Sequence, residues 1–183
     1  MKKIIFGLVG SPAAGKGEAT SYIVDKYKAS SHRFSTPMFD CLKRLFIPDS
    51  RTNLIKFSET TREMFGDDLY AKVVAQDCVN DIADIVVVEG IRRPADVSLL
   101  SKLDNFYLMY ITAPVEIRFE RTKQRGEKAN ENEMTLEMFL GQEQASTEIL
   151  IPEIGATAKY TIDNSGTKEE LHSKIDEIIA KLI

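Results

Sequence analysis

One stretch near the start of the chain carries the strongest chemical signal: Gly10, Ser11, Pro12, Ala13, Ala14, Gly15 and Lys16, followed by Gly17 and Glu18. A Gly-x-x-x-x-Gly-Lys run suits a chain of phosphates. Its glycines let the backbone curl until successive N–H groups point inward. A following helix adds unpaired N–H groups and the positive end of its dipole. Lys16 then reaches the β- and γ-phosphates of a bound nucleotide. The Ser or Thr that usually follows the lysine is absent, and Gly17 and Glu18 stand there instead. The plain alternative is a glycine turn joining a strand to a helix. Other candidate charges are Glu89 at the end of an apolar run, Arg92 and Arg93 just after it, and Arg121 and Arg125. The last two are four residues apart and so share one helix face.

These residues need elements to hold them. Lys3 to Val9 is short, apolar and β-branched, which predicts a buried strand, and Glu18 to Tyr27 predicts a helix. His32 to Thr36 reads as a second strand closed by Pro37, with helical spacing from Met38 to Phe46 and again from Arg51 to about Ile82, broken near Gly66. The unbroken run Ile85 to Val88 predicts a strand buried on both faces, as in a parallel sheet. Ala95 to Leu103 predicts a helix, Phe106 to Ile111 a strand, and Val115 to Lys123 a helix opened by Pro114. Gly126 to Asn132 is polar, Met134 to Glu148 is helical in spacing, Tyr160 to Asp163 predicts the last strand, and Thr167 to Ile183 an amphipathic closing helix. Strands alternating with helices imply a doubly wound α/β sheet with helices on both faces. Ligands then lie at the carboxyl ends of the strands. That rule gives weight to Gly10 to Gly17, Ser35 and Thr36, Glu89 to Arg93, Thr112, and Asn164 to Thr167.

The Gly15-Lys16-Gly17 form resembles adenylate kinase and its nucleoside monophosphate kinase relatives. Glu89-Gly90-Ile91-Arg92-Arg93 is similar to that family's strand-end acidic-Gly-x-x-Arg segment. Glu120-Arg121 to Arg125 is similar to the Glu-Arg-x-x-x-Arg that opens its lid. Asp163-Asn164-Ser165-Gly166 through Leu171 resembles the ending of dephospho-coenzyme A kinases. The resemblance implies a P-loop NTPase fold of three α/β/α layers, with a five-stranded parallel sheet in the order 2-3-1-4-5 and a short helical lid. It also implies Mg2+ and ATP as cofactors, with Glu89 near the metal's waters and Lys16, Arg92, Arg121 and Arg125 in catalysis. Gly10 to Glu18 and Asn164 are implied to border the nucleotide. Ser35, Arg62, Arg92 and Arg93 are implied to face the acceptor, under a helical segment at about 37–80 and a lid at about 126–135.

Each assignment has a plainer alternative. Glu89 could make a structural bond, Arg92 and Arg93 could be a solvated pair, and the lid arginines could lie on an exposed face. With the hydroxyl after Lys16 missing, Glu89 together with Ser11 or Thr20 is expected to organise the metal through water. No arginine follows Arg125, so the lid's second basic side is absent.

The chain has 183 residues and a formal net charge of −4, which suits one domain and argues against a general binder of polymeric nucleic acid. Cys41 and Cys78 form no metal spacing and read as reduced thiols of a cytoplasmic protein. The apolar run after Met1-Lys2-Lys3 falls at the short end of secretory signals, and no run is long enough to span a membrane. The expected activity is ATP-dependent phosphoryl transfer to a small phosphorylated acceptor, a nucleoside or deoxynucleoside monophosphate. The alternatives are a dephospho-coenzyme A kinase and an ATP-binding regulatory module with slow hydrolysis.

Overall fold

Strand β1 (Ile4–Val9) is buried along its whole length and forms the middle of the molecule. In the chain's structure, a computed structural model, residues 3–125, 134–145 and 148–183 are described. β1 is flanked in parallel by β3 (Ile85–Glu89) and β4 (Phe106–Thr112), and outside these lie β2 (Ser30–Arg33) and β5 (Tyr160–Asp163). The order β2-β3-β1-β4-β5 is the expected one. Register places Gly7 of β1 opposite Val88 and Leu108.

Alternation along β1 serves both faces. Ile4, Phe6 and Leu8 pack with helices α1 (Lys16–Tyr27) and α9 (Lys168–Ile179) through Ala19, Ile23, Leu171 and Ile175. Ile5 and Val9 pack on the other face with α2 (Thr36–Arg44), α4 (Leu69–Asn80) and α8 (Ile151–Ala156) through Met38, Val74 and Ile154. Such two-sided burial explains the uninterrupted β-branched run of β3. The remaining helices are α3 (Arg51–Phe65), α5 (Pro94–Ser98), α6 (Val115–Arg125) and α7 (Leu136–Glu143). Among the described residues, no helix is long and apolar enough to cross a membrane.

Several boundaries differ from expectation. Strand β2 runs from Ser30 to Arg33 and not from His32 to Thr36. Pro37 does not close a strand; it sits in the first turn of α2, where a missing N–H costs nothing. The helix expected over Ala95 to Leu103 splits into α5 and a 3₁₀ turn at Leu100–Lys102. Ser98 Oγ donates back to the Ala95 carbonyl at that break, at 2.9 Å. α7 ends at Glu143, and α8, with Pro152 in its first turn, has no counterpart in the sequence reading. The lid expected at about 126–135 lies outside the described residues up to 133, and Thr135 caps α7 by accepting from Met138 N–H at 3.2 Å.

Candidate nucleotide and acceptor site

The carboxyl end of β1 leads straight into the glycine loop, and α1 begins at Lys16. Ala14 N–H donates to the Ser11 carbonyl at 3.2 Å, closing a turn. Ala13 (φ 57°) and Gly15 (φ 106°) take left-handed backbone. Both glycines are sterically required. A side chain at Gly10 would put its Cβ 2.2 Å from the Ile111 carbonyl oxygen, and one at Gly15 would sit 2.1 Å from Asn164 Nδ2. Gly15→Ala therefore meets a clash and about 1–3 kcal/mol of backbone strain. The expected result, read by urea unfolding and ATP titration, is lower stability together with loss of nucleotide binding.

Lys16 bends back over this loop. Its Nζ donates to the carbonyls of Gly10, at 2.5 Å, and Ser11, at 3.0 Å. Desolvation lowers its pKa to about 8, and the charges of Glu148, Arg92, Glu89 and Arg118 all act on it. The loop therefore sits where the end of β3, the segment after it, α6 and the segment before α8 bring charged side chains.

Glu89 ends β3 and is 8% exposed. Its Oε1 accepts from Thr20 Oγ1 at 2.7 Å, and its Oε2 accepts from Arg33 Nε at 2.7 Å. Thr20 is thus tied to Glu89, while Ser11 contributes its carbonyl to Lys16 and Ala14. Among the described residues, no group of three His, Cys, Asp or Glu side chains could hold a metal by itself. A buried strand-end carboxylate beside a phosphate loop nonetheless fits Mg2+. That ion keeps several waters and binds through one or two carboxylates plus substrate phosphates.

Two residues expected at the nucleotide have other partners. Asn164 is buried and donates from Nδ2 to the Ala14 carbonyl at 2.8 Å, so it braces the loop backbone from behind. The Glu18 carboxylate pairs with Lys168 at 2.7 Å and His172 at 3.0 Å on α9. The hydrogen bond from Lys168, foremost, holds that carboxyl below its usual range. His172 in turn stacks on Tyr22 with ring centroids 3.7 Å apart. Gly17 has open space around the position of a Cβ.

The arginines separate. Arg92 pairs with Glu148 and acts on Lys16, which places it near the glycine loop. Arg93 lies 3.8 Å from Asp67, just before α4. Arg121 Nη2 donates to the Gly166 carbonyl at 3.3 Å, beside Asn164, and its buried Nη1 has no partner among the described residues. The Arg125 side chain lies outside the described residues. Ser35 is half-buried at the start of α2, and its side chain caps nothing there.

Arg62 corrects the sequence reading. It was expected to touch the acceptor, but it is 6% exposed and committed elsewhere. Its Nη2 donates to Asp96 Oδ1 at 3.0 Å, Nη1 to the Asp67 carbonyl, and Nε to Ser58 Oγ at 3.4 Å, with the guanidinium 5.0 Å from the Tyr70 ring centre. Each of its three nitrogens thus has a partner inside the protein.

Three residues at the site were not singled out in the sequence. Arg33 was hidden because the second strand was placed two residues late. Glu148 was read as the tail of a helix. Arg118 is buried, donates from Nε to the Ala113 carbonyl at 2.9 Å, and pairs through both Nη atoms with Glu143 on α7. Its spacing from Arg121 and Arg125 gave no signal of that role.

No family model matches the chain. A UPF0200 protein of Sulfurisphaera tokodaii is 26% identical, with 98% of this chain and 97% of that protein covered. A UPF0200/UPF0201 protein of Archaeoglobus fulgidus is 32% identical over 71% of this chain and 41% of its own length. Among solved structures, a shikimate kinase from Bacteroides thetaiotaomicron has a TM-score of 0.60 at 10% identity, with 98% of each chain covered. A gluconokinase from Sinorhizobium meliloti has a TM-score of 0.58 at 13% identity, covering 98% of this chain and 93% of its own. TT1252 from Thermus thermophilus has a TM-score of 0.59 at 20% identity over all of both chains. With five parallel strands in the order 2-3-1-4-5 and a glycine loop between β1 and α1, this chain has the P-loop kinase-like α/β fold.

Proposed function

We propose that the protein transfers a phosphoryl group from ATP to a small phosphorylated acceptor, a nucleoside or deoxynucleoside monophosphate. The observation that carries this reading is the surroundings of Lys16. One buried loop lysine, its pKa lowered to about 8, lies within the fields of Glu89 at the end of β3, Arg92 in the loop after it, Arg118 of α6 and Glu148 just before α8. A bare phosphate-binding turn would need only the loop. Charges arranged on both sides of it suit the spreading negative charge of phosphoryl transfer, in which catalysis is positioning and electrostatic stabilisation.

Lys16 leaves the Gly10 and Ser11 carbonyls to meet the β- and γ-phosphates. Glu89 and Thr20 would hold the metal's waters, and Mg2+ would supply neutralisation of the phosphate oxygens. Arg92 would exchange Glu148 for a phosphoryl oxygen. Arg121, already at the Gly166 carbonyl, would border the base beside the loop that Asn164 braces.

The test is ADP release measured with a panel of nucleoside monophosphates and dephospho-coenzyme A. Acceptor-dependent release with a monophosphate supports the proposal. Release with dephospho-coenzyme A alone moves the assignment to that kinase. Slow release that ignores every acceptor favours an ATP-binding regulatory module, a reading that the missing hydroxyl after Lys16 supports.

That missing hydroxyl can be restored. Gly17→Ser meets no neighbour at Cβ, and Ser is better than Gly in a helix by roughly 0.5 kcal/mol. The variant is expected to fold and to reach half-maximal turnover at a lower Mg2+ concentration. An unchanged Mg2+ titration would mean that Glu89 and Thr20 already supply what the hydroxyl would add.

A further inference from the structure

The carboxyl edge of the sheet carries a cation that the mechanism above does not use. Arg33 is the last residue of β2 and lies in register with Glu89 of β3. Its Nε donates to Glu89 Oε2 at 2.7 Å, and its side chain is 64% exposed where that of Glu89 is 11%. A guanidinium offers five donors in a rigid plane. Among the described residues, Nη1 and Nη2 of Arg33 donate to nothing, so one edge is anchored and the outer fork remains available. The next residue is tied down as well, with Phe34 N–H donating to the Glu89 carbonyl at 3.1 Å. α2 then starts at Thr36 with no side-chain cap from Ser35.

The other oxygen of Glu89 accepts from Thr20 on α1, one turn after Lys16. A single carboxylate therefore joins the nucleotide side of the cleft, through Thr20, to the acceptor side, through Arg33. We propose that Arg33 recognises the anionic group of the acceptor, a phosphomonoester dianion. We further propose that Glu89 couples this site to the metal–nucleotide site, so that each tightens the other. The inference rests on the reading of Glu89 and the glycine loop as a Mg2+–nucleotide site.

The sign follows from charge. Without metal, Glu89 compensates Arg33. A dication held near the same carboxylate takes up that negative charge and repels the guanidinium. Arg33 is then left undercompensated, and an anion on its outer fork restores the balance. Linkage makes the effect reciprocal, and couplings of this kind are typically about 5- to 150-fold.

The test is isothermal titration of AMP into protein saturated with a non-hydrolysable ATP analogue, once with Mg2+ and once with EDTA. The analogue fills the glycine loop in both arms, so AMP reports the acceptor site. Wild type is expected to bind AMP at least about fivefold more tightly with Mg2+. Arg33→Met should weaken AMP, leave adenosine unchanged, and bring the ratio of the two arms close to one. Arg33→Lys, which keeps the charge without the Nε anchor, should recover part of the AMP affinity and little of the coupling. Arg33→Met removes one partner of the buried Glu89 carboxylate, so its melting temperature should fall, less so for Arg33→Lys, and both titrations are run well below the melting temperature of either variant.

A wild-type ratio of one, a ratio that survives Arg33→Met, or equal losses for AMP and adenosine would each overturn the inference and leave the nucleotide site standing. Failure of the analogue to bind wild type in either arm would overturn the nucleotide reading itself, and this inference with it.

Discussion

Lys16→Met is expected to leave the chain folded and to lower phosphoryl transfer by about a hundredfold to a thousandfold, the cost of removing one preorganised donor from developing charge. Methionine matches the length of the stem and removes the ammonium. Folding should not suffer, because the lysine is held against its own preference. Burial lowers its pKa from 10.5 to about 8. Between those values the unfolded chain binds more protons than the folded one, so wild-type stability relative to the methionine variant should rise from pH 8 to pH 10.5. Below pH 8 the lysine is charged in both states, and the desolvation cost is fully present. Denaturant unfolding of both proteins across this range measures the difference. The same lysine makes nucleotide binding proton-linked. Phosphates favour the charged form, so above pH 8 binding takes up a proton, and affinity should fall by up to about tenfold per pH unit. Titration calorimetry in buffers of different ionisation heat counts that proton. Lys16→Arg should abolish the dependence, since arginine stays charged throughout. Transfer activity unchanged in Lys16→Met would remove phosphate contact from the role of this residue.

What the sequence made legible was local or periodic. The strand-loop-helix around Gly10 to Lys16 is a local pattern, with steric reasons carried by Gly10 and Gly15 themselves. The β-branched run of β3 is a burial pattern, and both of its faces are indeed covered. Partnerships were not legible. Asn164 and Ala14 are 150 positions apart, and Arg33 and Glu89 are 56 apart. Sheet order and loop placement bring the first pair together and strand register the second, and an error of two residues in β2 concealed Arg33. Sequence reading also treated every arginine near a strand end as a possible anion contact. It had no means of telling a guanidinium open to solvent, as in Arg33, from one enclosed by its own chain, as in Arg62 and Arg118. The break between α7 and α8 was hidden because Met134 to Glu148 keeps a helical spacing that the tertiary packing does not follow.

Arg62→Ala should be the most destabilising single change outside the apolar core, by about 3–5 kcal/mol, the range for removing one partner of a buried ion pair. The deletion strands Asp96, which is 2% exposed and cannot reach water. Asp96 has a second task that makes the loss non-local. Its Oδ2 accepts the backbone N–H groups of Arg92 and Arg93, both at 3.0 Å, while Oδ1 accepts from Arg62. Arg62 also holds the Asp67 carbonyl, so one guanidinium fastens α3 to both the start of α4 and the loop bearing Arg92. Asp96→Asn keeps an oxygen for those N–H groups and removes the charge, so it should cost less than Asp96→Ala. The pair Arg62→Met with Asp96→Asn should be more stable than the sum of its parts, because neither buried charge is then left alone. Urea unfolding of the four proteins in that double-mutant cycle gives the coupling directly. An Arg62 that contacted the acceptor would give the opposite pattern, a raised KM for the acceptor with stability near wild type and no coupling to Asp96. The buried position of Arg62 and its bonds to Asp96, Asp67 and Ser58 favour the structural outcome, in which acceptor affinity falls only as far as the Arg92–Arg93 loop loosens.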